Sequence, residues 1–217
     1  MRYRGMVFDF DYTLGDSTDG IVESANYALE QMGYQRAERE QIRRTIGLHL
    51  EETYRVLVGD QGKKAEPGEE AEFRKLFVEK ADQVMAASSS LYDGVLDLMR
   101  DWKGQGLKLG IVTTKYHYRI DEVLKKYQAA ELFDVIIGGE DVARPKPDPE
   151  GILRVLKMWE LTNEELLYVG DSLVDAKTAK AAGVDFAGVT TGTTPEEALA
   201  EYAAFGVFAS LQGLAGR

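Results

Sequence analysis

The stretch Phe8-Asp9-Phe10-Asp11-Tyr12-Thr13-Leu14 decides the reading of this chain. Met6, Val7 and Phe8 lead into it as a short buried strand. Asp9 and Asp11 follow at its C-terminal end, two residues apart. Side chains two apart on a strand point the same way. Two carboxylates are therefore aimed at one small space. They repel, and burial costs each of them, unless a cation or a proton is present. The C-terminal edge of a parallel sheet is where an α/β fold places its ligands. Solvated turn aspartates are the structural alternative, because Asp is common in turns.

Outward from that stretch, apolar runs alternate with helical patterns. Strands are expected at Met6–Asp9, Lys108–Thr113, Asp134–Gly138, Leu166–Gly170, Val184–Val189 and Val207–Ala209. Helices of ten to fifteen residues between them indicate βαβ units and a doubly wound, Rossmann-like parallel sheet, an α/β fold. Helix starts are marked by Asp148-Pro149, by Thr162-Asn163-Glu164-Glu165 and by Thr194-Pro195-Glu196-Glu197. From about Ser17 to Ala87 no strand is expected. Helical patterns there cover Ile21–Met32, Glu38–Thr45, Leu50–Val58 and Glu69–Met85. A βαβ crossover needs only one helix. Residues 17–87 are therefore expected to be an inserted α-helical cap, and residues 1–16 with 88–217 the catalytic core.

The bulk composition excludes several functions. The chain has 217 residues and a formal net charge of −11. Nucleic-acid surfaces need clustered Lys and Arg, so none is expected. There is no cysteine, so thiolate metal sites are excluded, and with His49 and His117 the only histidines a multi-histidine site is not expected. No apolar run reaches about 18 residues, so no membrane helix is expected. The N-terminus runs straight into the first strand with no room for a signal peptide, and a cytoplasmic location is expected.

Three further elements end predicted strands with chemistry-bearing residues. Gly110-Ile111-Val112-Thr113-Thr114-Lys115 brings hydroxyls to the start of a helix, where Thr and helix N–H groups make an anion cradle. Arg144-Pro145-Lys146-Pro147-Asp148-Pro149 holds one lysine between prolines, which stiffen the segment and keep it extended. Tyr168-Val169-Gly170-Asp171-Ser172-Leu173-Val174-Asp175 again ends a strand in carboxylates, and Asp171 and Asp175 would share a helix face. Each has a plain structural alternative: a helix cap, a linker lysine, or acids matched to a helix dipole. In a parallel sheet all of them converge on one edge. The set can hold a hard divalent cation with a phosphoryl group beside it.

In order, DFDYTL, VTTK, the lysine of RPKPDP, and GDSLVD resemble the four motifs of the haloacid dehalogenase superfamily, in its phosphatase branch with a helical cap. The resemblance covers nearly the whole chain. It implies that Asp9 is the nucleophile, forming an aspartyl-phosphate, and that Asp11 is the general acid and base. Thr113 would bind phosphoryl oxygens, with Thr114 beside it, and Lys146 would neutralise charge. Mg²⁺ would be bound by Asp9, Asp171 and the backbone carbonyl of Asp11, with Asp175 supporting the metal site. Thr45-Ile46-Gly47-Leu48-His49-Leu50 resembles the cap loop that contacts the substrate, so His49 and Arg43 are candidate substrate-binding residues.

One departure stands out. The family has Gly after the second aspartate, and this chain has Tyr12. If the position needs φ > 0, tyrosine is costly there. Either the turn differs or Tyr12 lines the pocket entrance. Asp11 argues against the dehalogenase and phosphonate-cleaving branches. Ile21 and Leu50 stand where related sugar-phosphate mutases carry a histidine and an arginine. The expected activity is Mg²⁺-dependent hydrolysis of a small phosphate ester, in the phosphoglycolate-phosphatase-like branch. An inorganic pyrophosphatase or nucleotidase, a mutase, and a capped binding protein without turnover are the other readings.

Overall fold

A computed structural model of the protein describes residues 3–215. Its strands are β1 (Gly5–Phe8), β2 (Gly15–Asp16), β3 (Ser90–Leu91), β4 (Lys108–Val112), β5 (Val135–Ile137), β6 (Leu166–Gly170), β7 (Asp185–Val189) and β8 (Gly206–Phe208). Its helices are α1 (Thr18–Gln31), α2 (Arg39–Arg43), α3 (Leu50–Asp60), α4 (Glu69–Ser88), α5 (Val95–Gly104), α6 (His117–Lys126), α7 (Glu150–Trp159), α8 (Leu173–Ala182) and α9 (Glu196–Ala200). Contacts divide the chain into two units, one of residues 1–16 with 91–217 and one of residues 17–90.

The first unit is built on a six-stranded sheet in the order β5-β4-β1-β6-β7-β8, with every neighbouring pair parallel. The α/β, doubly wound expectation is borne out. Alternation along the strands explains why both faces are covered. Met6 and Phe8 face one apolar cluster with Leu109, Ile111, Leu167, Val169 and Trp102. Val7 faces the other, with Val112, Tyr168, Ile152 and Trp159. A parallel sheet buried on both faces needs such near-continuous apolar strands. Between β4 and β6, β1 sits where the strand order reverses, which puts the ligand-binding crevice of this fold at its C-terminal end.

Some boundaries differ from the expectation. The Thr162–Glu165 box forms, with Thr162 N–H donating to the Glu165 carboxylate at 2.9 Å. It closes only a single 3₁₀ turn, Asn163–Glu165, before β6 begins. At α9 the residue preceding the helix is Pro195, and no side chain caps it. Asp148 still caps α7, accepting from the Glu150 N–H at 3.0 Å, but Pro149 precedes the first helical residue instead of forming it.

The second unit is α1 to α4. Its core contains Leu29, Ile42, Tyr54, Leu57, Phe73, Phe77 and Met85. Tyr34 and Tyr54 both donate to the Glu69 carboxylate, at 2.9 and 2.6 Å, which ties the start of α4 to α3 and to the turn after α1.

Candidate active site

Asp9 follows β1 directly, and its N–H extends the ladder to the Val169 carbonyl at 2.9 Å. The chain then turns. The N–H groups of Thr13, Leu14 and Gly15 lie at 3.2, 2.9 and 3.1 Å from the Phe10 carbonyl, and the Phe10 ring is buried in the core. Asp9 and Asp11 therefore lie past the strand, and each meets a different lysine. Lys146 Nζ is 2.9 Å from Asp9 Oδ1. Lys115 Nζ is 3.2 Å from both carboxylate oxygens of Asp11.

Tyr12 has φ +61°, so the turn keeps the left-handed backbone expected of glycine at this position. That geometry costs an L-residue about 1 kcal/mol. Its carbonyl accepts a hydrogen bond from Thr191 Oγ1, its N–H donates to the Gly15 carbonyl at 2.7 Å, and its side chain is only 3% exposed. The ring is packed away and does not line an open entrance.

Lys146 differs from its expected setting. Arg144 and Pro147 around it are exposed, but Lys146 is 4% exposed. The segment is turned, not extended, with the Asp148 N–H bonded to the Pro145 carbonyl at 3.1 Å and the Lys146–Pro147 peptide cis. Its ammonium reaches Asp175 Oδ1 at 2.5 Å and the Tyr168 hydroxyl at 3.1 Å. Burial opposes its charge, but Asp175 and Asp9 outweigh burial and hold it above the ordinary lysine value.

Asp171 follows β6, and Thr13 Oγ1 donates to its Oδ1 at 3.3 Å. Asp171 precedes α8, so it and Asp175 do not share a helix face as expected. Asp175 sits in the first turn of α8, where it forms a capping box with Ser172. Its Oδ2 accepts from the Ser172 hydroxyl at 2.5 Å and from the Ser172 N–H at 3.1 Å. A Cβ on Gly170 would lie 2.5 Å from Asp175 Cβ, and one on Gly192 would lie 1.9 Å from Asp171 Oδ2. Only glycine lets the backbone pass this close to the two carboxylates.

Thr113 is buried, and its Oγ1 accepts from the Lys115 N–H at 3.2 Å. A hydrogen bond from its hydroxyl to Asp9 opposes the upward shift of that carboxyl. Thr114 follows in the turn before α6. The expected cradle at the start of this helix is already taken up in part. The N–H of His117, the first helical residue, donates to the Glu140 carboxylate at 2.8 Å.

Asp9, Asp171 and Asp175 converge, with oxygens within 4.8 Å of one another. They are the one such group among the described residues. Asp11 is outside it, held by Lys115. The donor set is all oxygen, as a hard divalent cation prefers. A single ammonium, that of Lys146, faces two of these three carboxylates. Burial, then the charge of Asp175, pushes Asp9 up to about 6 despite Lys146. Burial and the neighbouring carboxylates push Asp171 well above the usual range. Asp9 Oδ1 is buried without a well-directed hydrogen bond, although the lysine lies beside it. Each observation marks a deficit of positive charge that a bound dication would fill.

The other two candidates lie in the helical unit. Arg43 ends α2 and pairs with Glu40 at 2.8 Å. His49 is the residue preceding α3. Four further side chains contribute that the sequence reading does not assign a role: Lys115, Tyr168, Thr13 and Ser172. Lys115, Thr13 and Ser172 lie inside the quoted motifs. Tyr168 carried a weaker signal, a phenol in an otherwise apolar strand.

The model of the haloacid dehalogenase-like hydrolases matches residues 6–189 of this chain. The chain belongs to the haloacid dehalogenase-like hydrolase family. The phosphoglycolate phosphatase of Salmonella paratyphi A is 33% identical, over 91% of this chain and 85% of its own length. The phosphoglycolate phosphatase of Cereibacter sphaeroides is 32% identical over 87% of this chain and 85% of its own. A haloacid dehalogenase-like hydrolase structure from Bacteroides fragilis superposes with a TM-score of 0.92 at 41% identity, covering 98% of this chain and 99% of that one. This haloacid dehalogenase-like hydrolase is an enzyme of phosphatase type. No helix among its described residues is long and apolar enough to cross a membrane.

Proposed function

We propose that the protein hydrolyses a small phosphate monoester with Mg²⁺, by phosphoryl transfer to Asp9. The observation that carries this reading is a buried carboxylate paired with a buried lysine, beside two further carboxylates. Asp9 attacks phosphorus, and the bond from phosphorus to the leaving oxygen breaks. Asp11, protonated, gives its proton to that oxygen. Asp11 then takes a proton from water, whose oxygen attacks phosphorus and releases Asp9. Lys146 balances the charge on Asp9 and the phosphoryl group, and Thr113, with Thr114 beside it, orients the phosphoryl oxygens. Asp9, Asp171 and the Asp11 carbonyl would hold the metal. Asp175, whose oxygens already engage Lys146 and Ser172, would support them from behind. When bound, Mg²⁺ adds positive charge at the phosphoryl oxygens.

The relatives named phosphoglycolate phosphatase support a small phosphorylated carboxylic acid as substrate. Residues 17–87 are the proposed cap, with Arg43 and His49 as substrate-reading residues. Phosphate release from phosphoglycolate and from a panel of phosphorylated sugars, nucleotides and pyrophosphate tests this. Phosphoglycolate should give the highest kcat/KM, and substitutions at Arg43 and His49 should change the ranking. Preference for pyrophosphate or a nucleotide would overturn the substrate assignment.

A further inference from the structure

Tyr168 stands outside the chemistry above. It lies on β6, fully buried among apolar side chains, where a phenol needs a partner. Its Oη is 2.7 Å from the Val112 carbonyl oxygen, 3.1 Å from Lys146 Nζ and 3.1 Å from Asp175 Oδ1. A phenol has one proton to give. The Val112 carbonyl is its shortest acceptor. With the proton directed there, Oη faces Lys146 as an acceptor. Val112 immediately precedes Thr113, so the phenol is anchored on the strand end that carries the phosphoryl-binding hydroxyl. Burial, then Asp175 and Asp9, hold the phenol neutral by raising it well above its ordinary value.

Lysine is a flexible side chain, and this one enters the site from a turn with exposed neighbours. Asp175 accepts from one of its N–H bonds, and one directed partner leaves the ammonium free to swing about that bond and away from Asp9. We propose that Tyr168 is a positioning residue for Lys146: its phenol, anchored on the Val112 carbonyl, holds the ammonium at its place 2.9 Å from Asp9. The inference rests on the role given to Lys146 above. Phenylalanine would fill the same space and keep the strand packed, so the hydroxyl can be tested apart from the ring.

The experiment compares the wild-type protein with Tyr168→Phe, using Lys146→Ala as the reference. In the variant, kcat should fall about tenfold or more through misdirection of one charged group, while KM stays within about twofold. In the wild type the ammonium of Lys146 should give a protected ¹H–¹⁵N resonance, absent in Lys146→Ala and broadened or lost in Tyr168→Phe. An unchanged resonance, or an unchanged kcat, in a folded Tyr168→Phe variant overturns the inference. Should that variant fail to fold, the wild type decides. Its Tyr168 hydroxyl proton should exchange slowly and show a nuclear Overhauser effect to the Lys146 ammonium, and absence of either overturns the inference. If Lys146→Ala itself remains active, the role of Lys146 fails, which is distinguishable from an inactive Lys146→Ala beside a fully active Tyr168→Phe.

Discussion

Asp11 is clasped by Lys115, with both carboxylate oxygens 3.2 Å from Nζ. Asp9, two residues earlier, belongs to Lys146 instead. Two aspartates that are near neighbours in sequence are thus divided between two ion pairs, and only Asp9 joins the three-carboxylate group. The proposed mechanism gives the two aspartates different tasks, Asp9 as nucleophile and Asp11 as proton carrier.

The two aspartates should therefore fail differently. Asp9→Asn should abolish turnover of every ester. Asp11→Asn should spare a nitrophenyl ester in the first step, because nitrophenolate departs without a proton. A burst of about one equivalent of nitrophenolate should precede slow turnover, since water attack still needs a base. An alkyl phosphate should show no burst. Rapid-quench kinetics on both esters checks this, and equal losses without a burst would remove Asp11 from the acid–base role.

Lys146→Ala should do more than stop catalysis. The lysine is buried between Asp9 and Asp175, at 2.9 and 2.5 Å. Its removal leaves buried carboxylates facing one another, a loss on the order of 3–5 kcal/mol. Without metal, urea denaturation should show a large destabilisation, which added Mg²⁺ reduces. Wild-type stability in the metal-free variant would contradict the ion-pair account.

The metal should compete with protons. In the folded protein Asp9 is raised from 3.8 to about 6, and Asp171 is raised as well. Between those values the folded state binds more protons than the unfolded state, so this site's contribution to metal-free stability falls as pH rises. Mg²⁺ needs the ionised carboxylates, so its stabilising effect should grow across the same window. Thermal unfolding with and without Mg²⁺ should show a small shift near pH 5, roughly one pH unit below the Asp9 value, and a larger one near pH 7.5, roughly one and a half units above it. A shift independent of pH would show that the metal binds elsewhere.

Tyr12→Gly weighs two opposed effects. Glycine relieves about 1 kcal/mol of left-handed strain, while the buried ring contributes about 2–3 kcal/mol. The variant should be modestly less stable, with its turn and turnover largely kept. A more stable variant would show that the Tyr12 ring adds nothing to the core.

The sheet was legible because its strands are short apolar runs separated by helices of regular length. The positions of Asp9, Thr113 and Asp171 were legible for the same reason, since each follows a strand. The surroundings were not. Lys146 reads as a linker lysine, because nothing local shows that two carboxylates from elements distant in sequence will bury it. Lys115 reads as part of a helix start, and its pairing with Asp11 spans 104 residues. Tyr168 reads as core, because its ring is core and only its hydroxyl serves the site. The left-handed backbone at Tyr12 is hidden by its residue type, which argues against the turn that tertiary contacts impose.

In the proposed mechanism Asp9 carries the phosphoryl group. The most direct measurement is to quench the enzyme with acid during turnover, reduce it with borohydride and sequence the peptide spanning residues 5–15 by mass spectrometry. An acyl phosphate at Asp9 would be reduced to homoserine at that position, in an amount that rises with substrate and Mg²⁺ and increases further in Asp11→Asn. Aspartate unchanged at position 9, with phosphate still released at the full rate, would contradict the account.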